Sequence, residues 1–420
     1  MMRLADVGDY RKFWTASTTS IFGTYITSLA LQVLAAVTLH ATATELGLLN
    51  AARWLPYLLL GLFVGVLVDR YRSKPMLVGA DLARAALLCA IPLLHATGLL
   101  TLPVLIAFAA LLGVLSLFFD AADQAFLPRL VPVEMLTSAN ARLEQSHAVA
   151  QTTGPLLAAA LVKAIGAPLA ILVDALSYLI SGVLLARIRT REHAAPLATR
   201  RSVLTELREG TAWVYRHRML APQALAGHLW WLAHSMLSTI LVVYVLRAPD
   251  DGLGLDEVQL GITYACAGAG AVLGGALANR SGQRFGAGRT VVTTRLLMPL
   301  PWLLIPLTGP SPLAIVVLGT SQLLFWVLMG LEGPNEMAYR QAITPERLQG
   351  RVNTTIRSLN RGAIVVGAPI GGLIADAAGY RVSLWVGIAG LIASAAVLAA
   401  SPVRHATIPT SATLDAQAPT

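Results

Sequence analysis

The sequence predicts an all-α membrane protein in which twelve transmembrane helices form two similar halves. Hydrophobic residues make up 56% of its 420 residues and charged residues only 13%, well below the roughly 25% charged residues of an average soluble domain. The apolar residues gather in about twelve runs of roughly 17–25 residues, the length that a helix needs to cross a hydrocarbon core of about 30 Å. Because the loops between most of the runs are short, we expect the function to lie within the bilayer.

The twelve predicted helices follow one another along the chain, with one long loop after the sixth. They span residues 13–38, 47–68, 76–97, 103–119, 146–164, 169–187, 223–246, 258–278, 290–308, 312–331, 360–377 and 382–401. Most Lys and Arg residues fall in the loops on the side of the N-terminus, whereas Lys163, Arg247 and Arg381 lie on the other side. Basic residues accumulate in cytoplasmic loops, so both termini are expected in the cytoplasm. The same rule accounts for the net charge of +9 without a nucleic-acid partner.

The helices divide the chain into an N-terminal six-helix half (1–187) and a C-terminal six-helix half (223–402). A cytoplasmic linker (188–222) joins the halves, and a disordered tail (403–420) rich in Ala, Thr and Pro follows them. Within the linker, residues 202–217 place an apolar stripe on one side of a helix: Val203, Leu204, Leu207, Thr211 and Val214. Two interpretations remain open, an amphipathic helix on the membrane surface and a solvated helix between the halves.

The two halves resemble each other in sequence. The segment that begins Asp123-Gln-Ala-Phe and continues to Asn140 recurs at Glu336-Met-Ala-Tyr and continues to Asn353, at an offset of 213 residues. Gly166 and Gly379 share that offset. Repeats of six helices in the same orientation, related by an axis along the membrane normal, are found in the major facilitator arrangement of transporters.

The loop after the second helix resembles the signature loop of the major facilitator superfamily. It begins at Gly65, continues through Asp69 and Arg70 to Arg72 and Lys74, and departs from the family pattern at Arg72, where a glycine is usual. The resemblance implies a latch between the halves in which Asp69 pairs with basic groups when the inner gate is shut. The other interpretation is that Arg70, Arg72 and Lys74 only anchor the loop in the cytoplasm.

Further phrases resemble one subgroup of this superfamily, the bacterial exporters similar to the enterobactin exporter and the macrolide efflux proteins. These phrases are Arg53-Trp-Leu-Pro56, Ala80-Asp-Leu-Ala-Arg84, Pro128-Arg-Leu-Val-Pro132 and Asn140-Ala. The resemblance covers nearly the whole chain. It implies the major facilitator fold, a location in the bacterial cytoplasmic membrane and the export of small organic compounds.

Helix five carries a second exporter-like signal around Gly154 and Pro155, where small residues permit close helix packing and proline loosens the backbone. Ordinary small-residue packing explains the same residues equally well. A third family feature, an Arg in helix four linked to proton coupling, is missing from residues 103–119. Any proton coupling must therefore use other residues.

Ionisable groups within predicted helices cost roughly 2.5–3.5 kcal/mol each on insertion scales, so each requires a reason. We expect one charged cluster under the N-terminal half that acts either as the gate and proton-binding site or as a static lattice of ion pairs: Arg84, Asp120, Asp123, Glu144 and His147. Asp174 lies near the outer end of helix six and is interpreted mainly as structural, although it is also a candidate for proton coupling. Arg53 either meets an anionic substrate or reaches the outer interface.

Polar and aromatic groups on three helices are candidates for the substrate cavity: Gln32, Asn50, Arg53, His228, Trp230, Trp231 and His234. Together they suit an amphipathic organic solute, although tryptophan is more often a packing or interfacial residue.

The sequence thus predicts a secondary transporter, not an enzyme, that exports a drug, natural product or siderophore by proton antiport and alternating access. It shows no phosphate-binding loop, metal-ligand spacing or nucleophile elbow, so no cofactor or metal is expected. The expected partners are the substrate, protons and membrane lipid, and the chain is expected to be a monomer. Two alternatives remain, proton-coupled import of a nutrient or siderophore and a non-transporting receptor or scaffold on the same fold.

Overall fold

The structure is a computed structural model that describes residues 8–190 and 203–405. The first half consists of six long helices, and a π-helical turn at Leu34–Thr38 extends the first of them. The helices are α1 (Gly8–Val33), α2 (Ala43–Arg70), α3 (Ser73–Ala96), α4 (Leu102–Leu130), α5 (Leu136–Ile165) and α6 (Ala167–Ala186). Short 3-10 turns lie at Val133–Met135 and Pro402–His405.

The second half repeats this arrangement after a short helix, α7 (Val203–Arg216). Its helices are α8 (Leu220–Leu246), α9 (Glu257–Phe285), α10 (Ala287–Leu297), α11 (Pro299–Leu307), α12 (Ala314–Ile343), α13 (Glu346–Ala378) and α14 (Tyr380–Ala399). The helices α10 and α11 form a single span that is interrupted at Pro299, because proline has no backbone N–H to continue the hydrogen-bond ladder. With this pair counted once, twelve long segments cross the molecule within the described residues.

The outer surface of the bundle is apolar. Leu93, Leu307 and Leu313 are 66%, 71% and 68% exposed, and many further leucines and valines are exposed along the helices. Among the described residues, eleven helical segments are long and apolar enough to cross a membrane, and α2 is the twelfth long segment. An apolar surface of this size belongs in lipid, because a water-soluble chain would cover it with polar side chains.

The sequence repeat recurs in the turns of the two halves. Gly166 joins α5 to α6 with a φ of +82°, and Gly379 joins α13 to α14 with a φ of +95°, a left-handed backbone that favours glycine. Thr42 and Asp256 begin α2 and α9 with the same capping box, in which the side chain accepts a hydrogen bond from the backbone N–H three residues on.

Because successive helices are antiparallel, the start of α1, helix α7 and the end of α14 share one face of the bundle, named here the linker face. The other is named the opposite face. Within the halves, α1 packs on α5 and α6, and α9 packs on α12. Between the halves, the main contacts are α2 with α13 and α5 with α9.

Several helices were predicted to be too short at the linker face. The fourth, fifth, tenth and eleventh predicted helices each continue about ten residues or more beyond their predicted limits, to form α4, α5, α12 and α13. The charged residues that ended the apolar runs lie within these helices, because a helix continues beyond the hydrocarbon when its side chains can reach polar surroundings.

Three loop predictions are also refined. The helix α7 packs on α8 and α13 of the second half, with Val214 fully buried against Leu348 and Val352. The start of the predicted disordered tail is wrong, because Val403 is 1% exposed and packs on Val291; residues 406–420 lie outside the described residues. Arg72 precedes α3 with a φ of −70°, so the turn needs no glycine there.

Candidate functional site

The two halves are closed against each other at the opposite face. The carboxylate of Asp376 on α13 accepts hydrogen bonds from the first backbone N–H groups of α2, at Ala43 (3.1 Å) and Thr44 (2.9 Å), and from the Thr44 hydroxyl (2.6 Å). This carboxylate meets the positive end of the α2 helix dipole. Two further contacts join the halves there, from Lys163 to Asp256 (3.1 Å) and from Arg247 to the carbonyl of Ala41 (3.0 Å).

Glycines also bring the interface helices close together. A Cβ on Gly47 would lie 2.5 Å from the Ala368 carbonyl oxygen of α13, and one on Gly268 would lie 2.5 Å from Cα of Thr152 on α5. Hydrogen bonds and ion pairs between the halves extend no further towards the linker face than Asn50, which donates to the Thr239 hydroxyl (3.1 Å), among the residues that the structure describes. Closer to the linker face the halves still meet, because Arg361 of α13 stacks on Trp54 of α2 and a Cβ on Gly362 would lie 3.2 Å from Cδ1 of Leu58.

The exporter-like residues of helix five take part in this packing. A Cβ on Gly154 would lie 2.6 Å from Cβ of Tyr25 on α1, and the Pro155 carbonyl lies 3.0 Å from the equivalent position on Gly261 of α9. Gly154 therefore allows α1 to approach within its own half, whereas Pro155 faces the other half.

A central cavity lies between the halves in two lobes that share Ser28 and Gln32. The larger lobe has a volume of about 230 Å³ and is lined by residues of α1, α5, α9 and α12, including Tyr25, Gln151, Tyr264 and Trp326. The smaller lobe, of about 40 Å³, is lined by residues of α1, α2, α4 and α8, including Asn50, Arg53 and Thr239. Three of the candidates for the substrate cavity, Gln32, Asn50 and Arg53, line these lobes.

The orientation of Arg53 decides between its two interpretations. Its Nη1 donates a hydrogen bond to the Ser28 hydroxyl (2.8 Å), so the guanidinium points to the cavity and not to the outer interface.

The aromatic candidates on α8 pack within the second half instead. Trp230 is 2% exposed and stacks on His234 with a centroid distance of 4.7 Å and on Phe325 at 6.1 Å. Trp231 lies edge-on to Trp230 at 4.9 Å. His228 joins α7 to α13, since its Nε2 contacts the Tyr215 hydroxyl (2.8 Å) and its Nδ1 contacts Oδ1 of Asn360 (2.7 Å). Their assignment to the cavity was wrong because a helix that is apolar all round does not reveal its inward face.

The predicted charged cluster forms around Arg84, which is 3% exposed. Its guanidinium lies between the rings of Phe119 and Tyr178, 4.1 and 4.2 Å from their centroids, and pairs with Asp81 one turn earlier on α3. Asp120 and Asp174 lie within its electrostatic range. Asp81 was not among the predicted residues, although it stands in the exporter-like phrase that ends at Arg84.

The carboxylates of this cluster outnumber its arginine. Asp123 lies within electrostatic range of Asp81, Asp120 and Arg84, and Asp120 accepts a hydrogen bond from the Tyr57 hydroxyl (2.7 Å). Within the described residues, one oxygen each of Asp81, Asp123 and Asp174 is buried without a hydrogen-bond partner, and so is Nε of Arg84.

Asp174 is fully buried, and Ser177 donates a hydrogen bond to it (2.9 Å). Asp174 is the eighth residue of α6, and its side chain does not reach the outer interface. The prediction that Asp174 lies near the outer end of this helix was therefore wrong. Gly23 on α1 provides its space, because a Cβ there would lie 2.1 Å from Oδ1 of Asp174.

Glu144 and His147 are exposed on α5. His147 lies edge-on to Tyr25 at 5.8 Å, and neither residue makes an ion pair with Arg84 in the part of the chain that the structure describes. In the loop after α2, Lys74 donates to the Ile188 carbonyl (2.7 Å), whereas the side chains of Asp69 and Arg70 and the surroundings of Gly65 lie outside the described residues.

Two charged features were missed by the sequence analysis. Arg295 of α10 and Glu332 of α12 form a buried ion pair, with Nε of Arg295 2.8 Å from Oε1 of Glu332. The predicted tenth helix ended one residue before Glu332, which hid it. Arg361 of α13 stacks on Trp54 of α2, with Cζ 3.9 Å from the ring centroid, and so faces the first half across the cavity.

A bundle of twelve membrane-crossing segments in two repeats, with a cavity between the halves, defines a membrane transporter of the major facilitator class. The chain belongs to the transmembrane secretion effector family of that superfamily, whose model matches residues 6–418. Like its relatives, it is a multi-pass transporter of small molecules and not an enzyme.

Curated relatives and solved structures agree with this family. Macrolide efflux protein A of Streptococcus pyogenes is 24% identical over 84% of this chain and 85% of its own length. An uncharacterized MFS-type transporter of Bacillus subtilis is 25% identical over 89% of this chain and 86% of its own length. In fold, the chain resembles the nucleoside transporter NupG, with a TM-score of 0.76, 10% identity and coverage of 94% and 98% of the two chains. A bacterial homologue of the iron transporter ferroportin in an inward-facing state has a TM-score of 0.72, 16% identity and coverage of 95% and 99%.

Proposed function

We propose that the protein exports a small organic compound across the bacterial cytoplasmic membrane by proton antiport and alternating access. The relatives named macrolide efflux proteins support the direction of transport, and the basic residues of the linker face support its location in the cytoplasm. In the proposed cycle, the cavity opens to that face and receives substrate from the cytoplasm. We propose that the protein functions as a monomer surrounded by membrane lipid.

The observation that carries proton coupling is the excess of carboxylates around Arg84. Like charges close together in a poorly solvated place disfavour full ionisation, so a proton bound by one carboxylate relieves the repulsion. Asp120 and Asp123 lie within electrostatic range of each other and of Arg84. Each can alternate between an ion pair with Arg84 and a protonated form.

This alternation supplies the differential interaction that a conformational switch requires. With the carboxylates ionised, Arg84 is held between α3 and α4; with one of them protonated, the attraction weakens and the helices can rearrange. The latch around Asp69 would act on the same half, at the junction of α2 and α3. The Arg84 cluster and the latch around Asp69 would both change the equilibrium between a conformation open to the linker face and one open to the opposite face.

The test uses Asp120→Asn and Asp123→Asn in reconstituted vesicles. We expect both variants to lose accumulation of substrate driven by a pH gradient by at least about tenfold, the scale of one general acid–base or charge interaction. Counterflow exchange of substrate without a gradient should survive, because the cavity and the motion of the halves remain. The transported probe comes from a panel of one anionic, one neutral and one cationic compound (2-naphthoxyacetic acid, its methyl ester and ethidium), and the parent protein must move at least one member.

Glu144→Gln is the matched control, since Glu144 is an exposed carboxylate on α5 and its removal should leave gradient-driven transport unchanged. If Asp120→Asn and Asp123→Asn both retain full accumulation, the cluster is a static lattice and Asp174 becomes the next candidate. If the parent moves no compound in either direction, the transport proposal itself fails.

A further inference from the structure

Three arginines lie at or near the central cavity. Arg53 of α2 lines the smaller lobe. Arg361 of α13 stacks on Trp54, the residue next to Arg53, and Arg357 lies one helical turn from Arg361 towards the linker face. Arg361 is within electrostatic range of both Arg53 and Arg357. In the described part of the chain, none of the three forms an ion pair with a carboxylate.

Two of these guanidinium groups are held in place without being neutralised. Arg53 donates to the Ser28 hydroxyl (2.8 Å). Arg361 lies flat on Trp54, 3.9 Å from the ring centroid, and near Tyr57 at 5.7 Å. Stacking on an aromatic face fixes a guanidinium and leaves its N–H edges free to bind a planar anionic group.

The nearby carboxylates reach these arginines only beyond ion-pair distance. Asp120 is within electrostatic range of Arg53 and Arg361, but it accepts the Tyr57 hydroxyl (2.7 Å) and is shared with Arg84. Asp174 is within range of Arg53 and is likewise shared with Arg84. A cation inside the membrane without its own counter-charge is costly, so the cavity is suited to a ligand that brings a negative charge.

The larger lobe continues from the arginines with aromatic and amide side chains. Tyr25, Tyr264 and Trp326 provide flat apolar surface, and Gln32 and Gln151 provide hydrogen-bonding groups. Gln32 also lines the lobe that contains Arg53, so one ligand can touch both. Apolar walls with a few convergent polar groups are typical of sites for organic ligands.

We propose that the cavity binds an amphipathic organic anion, with its anionic group between Arg53 and Arg361 and its ring system in the lobe of Tyr25, Tyr264 and Trp326. Arg357 attracts the anion from the linker face. This inference rests on the proposed export function and names the substrate class for the same cavity. A basic compound, such as an amine-bearing macrolide, would meet two guanidinium groups that have no ion-pair partner there and would bind weakly.

The test measures binding of three compounds that share one ring system to the purified full-length protein by equilibrium dialysis. The compounds are 2-naphthoxyacetic acid, its methyl ester and 2-(2-naphthyloxy)ethylamine, which are anionic, neutral and cationic at neutral pH. We expect the acid to bind at least about tenfold more tightly than the other two, the scale of one hydrogen bond to a charged group. Equal binding, tighter binding of the ester or amine, or no binding of the acid overturns the proposal.

Substitutions of the two cavity arginines test whether Arg53 and Arg361 bind the acid. Arg361→Gln and, as a second variant, Arg53→Gln should each weaken binding of the acid by at least about tenfold and leave binding of the ester unchanged. Arg289→Gln is the control, because Arg289 is an exposed arginine of α10, a helix that packs on α12 and α14. Unchanged binding of the acid in both cavity variants overturns the proposed site.

The two proposals fail in different ways. If the acid binds but a pH gradient drives no compound across the membrane, the export function is wrong and the anion site stands. If the gradient drives transport of cationic or neutral compounds while the acid neither binds nor competes, export stands and the substrate class is wrong.

Discussion

The two halves each bury one arginine among acidic residues, and the two arginines are neutralised in different ways. In the second half, Arg295 contacts both oxygens of Glu332 through Nε, at 2.8 and 3.1 Å, and its Nη1 donates to the Ser394 hydroxyl (3.1 Å). In the first half, Arg84 pairs with Asp81 of its own helix, and aromatic rings cover both of its faces. Each half therefore contains a buried arginine, but the groups that pair with the arginine differ between the halves.

The difference shows in the polar atoms that remain without partners. Buried oxygens of Asp81, Asp123 and Asp174 have none in the described structure, whereas the atoms of Arg295 and Glu332 are all satisfied. A buried polar atom without a partner costs about 1–3 kcal/mol. The Arg295–Glu332 pair, with all its polar atoms hydrogen-bonded, favours one arrangement of its helices. Around Arg84, binding of a proton by one carboxylate relieves the repulsion among the carboxylates. We therefore interpret the Arg295 pair as a fixed connection of α10 to α12 and the Arg84 cluster as the part that titrates.

The largest effect is expected from breaking the fixed pair. Glu332→Gln leaves the buried guanidinium of Arg295 with only Glu336, 3.8 Å away and shared with Arg340, and breaking a buried ion pair destabilises a protein by about 3–5 kcal/mol. We expect a sharp drop in the thermal stability of the purified protein and in its abundance in the membrane. The double variant Arg295→Met, Glu332→Met should recover most of that stability, since an apolar pair of similar volume avoids the burial of charge.

The double variant also tests the comparison itself. If it folds and still accumulates substrate against a gradient, the second-half pair is structural, as we infer. If it folds but loses gradient-driven transport while counterflow persists, both halves titrate and the contrast between them is wrong.

The sequence predicted the fold because its determinants are local. Apolar runs define the helices, and Gly166 and Gly379 mark equivalent turns. The charged cluster was predicted in part, because Arg84, Asp120 and Asp123 stand in or beside apolar runs, where a charge is conspicuous. Glu332 was missed because its helix was predicted to end one residue earlier, at the last apolar residue.

Helix orientation was the main limit of the sequence. Trp230 and His234 were expected in the cavity and pack instead on Phe325 inside the second half. In a membrane, both the lipid-facing and the protein-facing sides of a helix are apolar, so periodicity does not tell them apart. Contacts distant in sequence, such as that of Asp174 with Gly23, can be seen only when the helices are assembled.

An intermediate effect is expected at the contact of Asp174 with α1. In Gly23→Ala, the new methyl group would lie 2.1 Å from Oδ1 of Asp174 and from Oγ of Ser177, and α1 and α6 must separate to accommodate it. We expect a loss of about 1–3 kcal/mol in the free energy of unfolding, the usual cost of overpacking. Denaturant titration of the purified protein measures it.

Gly79→Ala is the matched control, because a Cβ on Gly79 meets nothing within 4 Å and alanine is the better helix former. It should be neutral or slightly stabilising. If Gly23→Ala changes the free energy of unfolding as little as Gly79→Ala does, the first half is loosely packed around Asp174. The Asp174 carboxylate would then be mobile, which contradicts the tight contact that the structure shows.

The smallest effect is expected at Asp376, the carboxylate by which the second half holds the first half closed at the opposite face. Asp376→Asn removes a charge from the first N–H groups of α2, an interaction worth about 0.3–1 kcal/mol at an exposed site, and should shift the population towards the conformation open at that face by up to about fivefold. Labelling of Gln32→Cys by an impermeant maleimide from outside intact cells, in a background without Cys89 and Cys266, measures the shift.

Lys163→Gln is the control for this measurement, since it breaks the exposed pair with Asp256, and such pairs contribute about 0–1 kcal/mol. The backbone N–H of Gln259 and the Lys163 ammonium hold the pKa of Asp256 below its usual range. The Asp256 carboxylate therefore stays ionised above about pH 4, so a change between pH 5 and pH 8 should not alter labelling of the parent through it. If Asp376→Asn labels no faster than Lys163→Gln, the carboxylate caps α2 without holding the halves together. Conformational control would then rest with the carboxylates of the first half alone.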